Sequence, residues 1–473
     1  MTSFDHWING ASCPPASGRS LPTIDPTTRE ASDSIAAGSA ADVDLAVAAA
    51  LAAQPAWAQA SAAERSRVLH AIADAIDARR EEFIELERRT TGKTDAQTRG
   101  EIIMSADYFR YYAGVVRAHG GRTIDQGAGA LTYTRSEPYG VVAIITPWNF
   151  PLNQAARACA PALAVGNAVV LKPSEFTSAT SVLLAQVATE VGLANGVLNV
   201  VTGTGADAGQ PLVSHPDVRR IAFTGSVGTG RMLASIAAEK LIPLTLELGG
   251  KSPLVVFEDA DLDKAADAAV TVMAANAGQV CSAATRLIAQ QSVHDELLAL
   301  VVERAAKLQP AIDFGAIITE AQFERVLQHF ANAAAVGAVA MLGAEAYSED
   351  QVGRGMYIKP TVYANVDPDW PIARDEVFGP CIVTMTFTDE ADAIARANDT
   401  EYGLSSAVWS RDTTRALRVA EQIQAGQVAI NGGPLTIETP FGGFKNSGYG
   451  REKGLEALDD YAQIKCISLK LTP

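Results

Sequence analysis

Downstream of Gly140 the chain alternates short, wholly apolar runs with segments of helical length, and few architectures accommodate that rhythm. The runs occupy 141–146, 168–172, 197–201, 221–224, 244–248 and 254–257. Apolar on both faces over so few positions, they suit strands buried between helical layers and joined by right-handed crossovers into a parallel sheet. The central architecture is therefore expected to be α/β. Beyond Asp261 the alternation resumes, with a helix predicted over 261–275, a strand over 286–290 and a helix over 293–307, so a second α/β unit follows the first. Upstream, 40–118 is Ala-rich with apolar residues three and four apart, the pattern of a helical layer. Between the two, 122–138 turns Gly-rich and β-branched, which predicts a hairpin outside the helical core.

A chain of 473 residues is too long for one simple core, because domains usually run to roughly 100–200 residues. Its 48% hydrophobic and 19% charged content is that of a globular protein. No apolar stretch reaches the roughly 18 residues that cross a bilayer, so no membrane span is expected. Lys and Arg total 38 against 54 Asp and Glu, a net charge of -16 that repels phosphate backbones and anionic lipid, so neither nucleic acid nor membrane is expected as a partner. The first ten residues lack the basic and apolar regions of a signal peptide, which predicts a cytoplasmic protein. Five scattered cysteines without a Cys-x-x-Cys pair suggest neither a disulfide framework nor a zinc site; no metal is expected, and at least one thiol is free to react.

Six segments carry chemistry. Cys281 follows Gly278-Gln279-Val280 in a loop of small residues just beyond a predicted helix, where a thiol is accessible; most lone cysteines, however, are small buried hydrophobes. Glu247 closes an apolar strand and precedes Gly249-Gly250, so desolvation should favour its neutral form and lift its pKa toward that of a general base; pairing with Lys251 is the plainer use. Asn149, between Pro147 and Pro151, ends a strand where open α/β sheets bind ligands. Its amide could donate to an oxyanion, or simply form a turn. Ser226 ends one strand and opens a helix whose N–H groups would suit a pyrophosphate, and Gly203-Thr-Gly205 begins a near-dinucleotide fingerprint with one residue too many before Gly209. In Lys172-Pro-Ser174-Glu175 the carboxylate can accept from ribose hydroxyls while Lys172 donates, though the tetrapeptide alone is an ordinary turn.

Together these segments resemble the NAD(P)-dependent aldehyde dehydrogenase superfamily. The likeness runs in order from about Trp7 to the tail, through Pro147-Trp-Asn-Phe-Pro151, Lys172-Pro-Ser-Glu175, Phe223-Thr-Gly-Ser226, Leu246-Glu-Leu-Gly-Gly-Lys251, Gly278-Gln-Val-Cys281, Glu376-Val-Phe-Gly-Pro380 and Pro440-Phe-Gly-Gly-Phe-Lys445. The resemblance implies an α/β protein with a Rossmann-like cofactor domain (1–118 and 139–249) and a catalytic α/β domain (250–449). A small β flap and tail (119–138 and 450–473) would join subunits into a homodimer or homotetramer. It assigns Cys281 as nucleophile, Glu247 as general base and Asn149 as oxyanion donor. Around the cofactor it places Thr146, Trp148, Lys172, Ser174, Glu175, Gly205, Gly225, Ser226, Thr229, Leu248, Glu376 and Phe378. NAD is expected over NADP, because Glu175 would repel a 2′-phosphate.

The implied activity is oxidation of a small-molecule aldehyde to its acid through a thioester on Cys281, which water activated by Glu247 hydrolyses. A CoA-acylating relative would typically lack Glu247, and a catalytically silent binding or structural member would not be expected to keep Cys281, Glu247 and Asn149. For the acceptor pocket the candidates are Phe150, Arg157, Ala275, Leu435 and Phe441. Ala275 stands where many members carry an aromatic residue, which leaves room unless Phe150, Leu435 or Phe441 fills it. Arg157, on a helix predicted over 153–163, could anchor a carboxylate, but pairing with a protein carboxylate or loop carbonyls is the stronger reading. Uncharged aromatic or medium-chain aldehydes are therefore expected, with dicarboxylic semialdehydes as the alternative.

Overall fold

The computed structural model describes residues 2–471 and is organised around two mixed sheets. In the first, five parallel strands run in the order Leu244–Glu247, Val218–Thr224, Val141–Ile145, Ala168–Lys172 and Leu198–Val200. His6–Ile8 with Ala11–Cys13 extend one edge, and Gly448–Tyr449 pairs antiparallel at the other. The apolar runs are explained by burial on both faces. Along Val141–Ile145 and Ala168–Lys172, Val142, Ile144, Val169 and Leu171 pack into a core with helices Ala62–Ala78, Asp95–Val115 and Pro151–Ala164. The alternate residues Val141, Ala143, Ala168 and Val170 pack instead with Val43, Val47 and Leu233 from Ala40–Gln59 and Val227–Lys240.

The second sheet holds seven strands, parallel except for the edge strand Val339–Leu342. Pro253–Val256 and Arg286–Gln290 at its centre divide their side chains between two cores in the same way. A three-stranded sheet stands apart: Ala462–Lys470 pairs with Ala130–Pro138 along its whole length, and Thr123–Ile124 adds to the other side.

Two features depart from the sequence reading. The strand expected over 221–224 begins at Val218, because Arg220 is carried into the sheet: its side chain is 4% exposed and meets Asp460 and Thr245. The N-terminal strands Ser3–Phe4, His6–Ile8, Ala11–Cys13, Ser20–Asp25 and Glu30–Ala36 had no sequence signal, being short or polar on alternate positions.

The strand order positions the site. From Val141–Ile145 the chain builds outward through Ala168–Lys172 to Leu198–Val200, then returns to place Val218–Thr224 on the opposite side of Val141–Ile145. A crevice opens at the carboxyl ends of strands where the order reverses, and ligands bind there in open α/β sheets. The second sheet meets that crevice from its amino-terminal side, since Glu247 to Pro253 runs directly from the end of one sheet into the start of the other.

Candidate active site

The crevice holds a cavity of about 170 Å³ lined by residues from six stretches of chain. Pro147, Trp148 and Asn149 follow one strand; Thr224, Gly225 and Ser226 end the next; Glu247, Leu248 and Gly249 end the third. Cys281 enters from the loop before Arg286–Gln290, and Glu376 and Phe378 from the loop before Cys381–Phe387. The proposed nucleophile, base and oxyanion donor thus share one wall-to-wall space with five of the residues proposed for the cofactor besides Leu248.

The Cys281 loop is held under strain. Asn276, Ala277 and Gly278 all adopt left-handed backbone, with φ of 48°, 52° and 73°, a conformation that costs a non-glycine residue about 1–2 kcal/mol. At Gly278 a Cβ would lie 2.0 Å from the Gly379 carbonyl oxygen, so only glycine fits. The buried Gln279 side chain fixes the turn: its amide donates to the carbonyls of Asn276 (2.8 Å) and Ala316 (3.1 Å), and its Oε1 accepts from Ile318 N–H (2.9 Å). Asn149 Nδ2 donates to Gln279 O and Asn276 Nδ2 to Asn149 O, each at 2.9 Å, which ties the Asn149 and Cys281 loops together. An amide nitrogen carries two hydrogens, so Asn149 keeps one for a ligand.

Burial dominates the electrostatics. It pushes the Cys281 thiol up to about 12, against the opposing pull of Arg157. Cys281 as a residue is half-exposed and lines the cavity. Glu247 is 1% exposed and neither carboxylate oxygen has a hydrogen-bond partner, so burial and then the Glu452 carboxylate raise its pKa well above the usual range. Lys251 does not pair with it; its Nζ donates to Ile372 O at 2.8 Å. Glu376 accepts from Gly250 N–H (3.1 Å), and burial brings it to about 7.

Of the remaining candidates, Ser226, Trp148 and Phe378 line this cavity and the others lie around it. Thr146 is buried, with its hydroxyl unpartnered. Lys172 is buried at its strand end, 3.5 Å from the half-exposed Glu175, with Ser174 buried beside them. Ser226 caps helix Val227–Lys240 through Thr229 N–H (3.3 Å), and the exposed Gly205 begins the helical turn Gly205–Gly209, whose Ala208 and Gly209 are buried. Trp148 and Phe378 meet edge to face at 5.4 Å. Of the acceptor candidates, Phe150 carries the Lys93 ammonium 4.3 Å from its ring centroid, Ala275 ends helix Leu262–Ala274, and Phe441 is buried. Leu435 is exposed and lines a second cavity of about 420 Å³. Arg157 pairs with Glu452, both side chains being 5% exposed or less.

Sequence reasoning missed Gln322 and Arg325, which line the catalytic cavity from helix Glu320–Ala335. Gln322 holds the opposite loop by donating to Val377 O (2.9 Å) and Phe378 O (3.0 Å). Their spacing of three places them on one helix face, the one signal that could have marked them.

The arrangement also fits a dinucleotide. Helix Val227–Lys240 points its amino end at the cavity through Gly225 and Ser226, a ready anion site. The unpartnered Thr146 hydroxyl and the Lys172–Glu175 pair offer polar groups alongside. A Cβ on Gly249 would lie 2.3 Å from Glu376 Oε2, so glycine lets that carboxylate reach the groove.

The aldehyde dehydrogenase family model matches residues 13–467. Among solved structures, an NAD-dependent aldehyde dehydrogenase from Sinorhizobium meliloti superposes with a TM-score of 0.97 at 42% identity, over 100% of this chain and 95% of that one. A betaine aldehyde dehydrogenase from Staphylococcus aureus in complex with NAD+ gives 0.97 at 35%, covering 99% and 95%. An indole-3-acetaldehyde dehydrogenase from P. syringae, in complex with NAD+ and IAA, gives 0.97 at 35%, covering 99% and 97%. With its cysteine, glutamate and asparagine gathered at the switch point of a doubly covered sheet, the chain belongs to the aldehyde dehydrogenase family.

Proposed function

We propose that this NAD-dependent oxidoreductase turns an aldehyde into its carboxylic acid by covalent catalysis on Cys281. The observation that carries the reading is the shared cavity of Cys281, Glu247 and Asn149. NAD supplies the hydride acceptor. Gly225, Ser226 and Thr229 would hold its pyrophosphate; Lys172, Ser174 and Glu175 would hold the adenosine ribose, with Thr146 and Gly205 nearby. Glu376 would hold the nicotinamide ribose between Trp148, Leu248 and Phe378.

Cys281 must lose its proton before it attacks, because a thiol near 12 is scarcely ionised at neutral pH. The unpartnered Glu247 carboxylate is the acceptor within the same cavity. The free Asn149 N–H and the Cys281 backbone N–H then receive the oxyanion, each worth about 2.7–4 kcal/mol. Once the acyl group is on Cys281, Glu247, having released the thiol's proton to solvent, takes a proton from water as it attacks the thioester, and the acid leaves with the thiolate restored.

The acceptor is proposed to be an uncharged aromatic or medium-chain aldehyde. Arg157 is already neutralised by Glu452, which argues against its serving as a carboxylate anchor for a semialdehyde. The sheet formed by Ala130–Pro138 and Ala462–Lys470 leaves Ile464 81% and Leu469 53% exposed, which supports a homodimer or homotetramer built on it. The two main sheets support the division into cofactor and catalytic domains. No described helix is long and apolar enough to cross a membrane, and a cytoplasmic location is proposed.

Cys281→Ser tests the reading: NADH formation should vanish while NAD still binds, because a hydroxyl is a far weaker nucleophile. An active Ser variant would refute it.

A further inference from the structure

Phe441 lies between two protein cations. The Arg157 guanidinium carbon is 5.0 Å and the Lys453 ammonium 5.1 Å from its ring centroid. An antiparallel bridge between Phe441 and Glu452 sets this geometry, with N–H···O bonds of 2.6 and 2.7 Å, and delivers Lys453 beside the ring in a left-handed conformation (φ 58°). The two cations differ in one respect. Arg157 has Glu452 as counter-ion, whereas Lys453 has no ion-pair partner among the described residues.

Lys453 also borders the second cavity. It lines the about 420 Å³ space with Leu435, Ile437, Ile103 and Met104, and its ammonium senses Cys281 and Glu247 from there. Two carboxylates share that outer space without balancing the charge. Asp107 is bonded to Arg110 at 3.1 Å, and Glu438 is exposed, so water screens it.

Resting on the dehydrogenase reading above, we propose that Lys453 is a specificity-determining residue that rejects aldehydes carrying a positive charge. Quaternary ammonium groups are usually held over aromatic faces. Here the ring of Phe441, whose neighbour Gly442 would set a Cβ 2.9 Å from Glu247 Oε1, already carries two protein cations, so a cationic aldehyde would meet like charge there. The net charge of -16 draws cations toward the molecule as a whole, so the rejection is local to this wall. Desolvation and neighbouring Arg157 lower the Lys453 pKa to about 8, the direction expected of a second cation in a crowded basic site.

An isosteric pair separates charge from shape: trimethylammonioacetaldehyde and its neutral carbon analogue, 3,3-dimethylbutanal. Wild type should show kcat/KM at least about tenfold higher for the neutral member. Lys453→Met should shrink that ratio about tenfold, Lys453→Glu should shrink it further, and Lys453→Arg should preserve it. The ratio within a variant cancels differences in folded fraction, and comparing that ratio between variants cancels the intrinsic reactivity of the two aldehydes. A wild-type preference for the cation, or a ratio unmoved in both Met and Glu variants, would overturn the proposal while leaving the dehydrogenase reading intact. Failure of wild type to oxidise any aldehyde would overturn both.

Discussion

Replacing Glu452 with Gln should move the pH profile of turnover and the stability of the fold, in directions fixed by the surroundings of Glu247. In the native cluster the Glu452 carboxylate raises the Glu247 pKa, while Arg157 and Arg451 lower it. The substitution removes a raising charge and frees Arg157 to act unopposed, so the Glu247 pKa must fall. A unit charge acting over ~6 Å at an effective dielectric of ~20 is worth about 3 kcal/mol, on the order of two pKa units. Allowing half of that for screening, the acid limb of kcat should shift down by about one pH unit. The plateau should fall too, because the carboxylate becomes a weaker base. Arg157→Met removes a lowering charge and should shift the limb upward. Both variants leave one member of a buried pair uncompensated, which costs about 3–5 kcal/mol in denaturant unfolding. The assay is kcat against pH with a saturating aldehyde for wild type and both variants. Limbs that coincide, or move together in one direction, would refute the assignment of Glu247 as the titrating base.

Gly278→Ala should lower kcat/KM at least about a hundredfold while sparing NAD affinity, since the new Cβ, 2.0 Å from Gly379 O, forces the Cys281 loop out of place. Normal kinetics would show that the loop's geometry is not needed. Glu175→Gln should narrow the preference for NAD over NADP about tenfold, because the carboxylate that repels a 2′-phosphate is gone. An unchanged kcat/KM ratio for the two cofactors would place the discrimination elsewhere.

Strands buried on both faces were legible because their side chains need no alternation: the run at 168–172 was read with the bounds the fold gives it, Ala168–Lys172. Edge elements were not. His6–Ile8 and Gly448–Tyr449 have two or three residues each, and only the sheet beside them makes them strands. Arg220 hid the start of its strand, since the Asp460 and Tyr461 that stabilise it lie far along the chain. The proposed reacting groups were visible as residue types at strand ends and in small-residue loops. Their surroundings were not: the Arg157–Glu452 pair, the Lys453 ammonium over Phe441 and the Gln322 clamp are all contacts between distant segments. Arg157 illustrates the difference, because the sequence left its partner open and the fold supplies Glu452 as its counter-ion.

The central claim is that Cys281 carries the acyl group and Glu247 releases it. Glu247→Gln, mixed with NAD and a good aldehyde substrate, tests both roles in one experiment followed by absorbance and intact mass. The account predicts a rapid burst of about one NADH per subunit, then turnover slowed by about 10²–10⁴. The protein mass should rise by one acyl group, mapped by peptide analysis to Cys281. Steady turnover at the wild-type rate with no adduct, or an adduct on another residue, would contradict it.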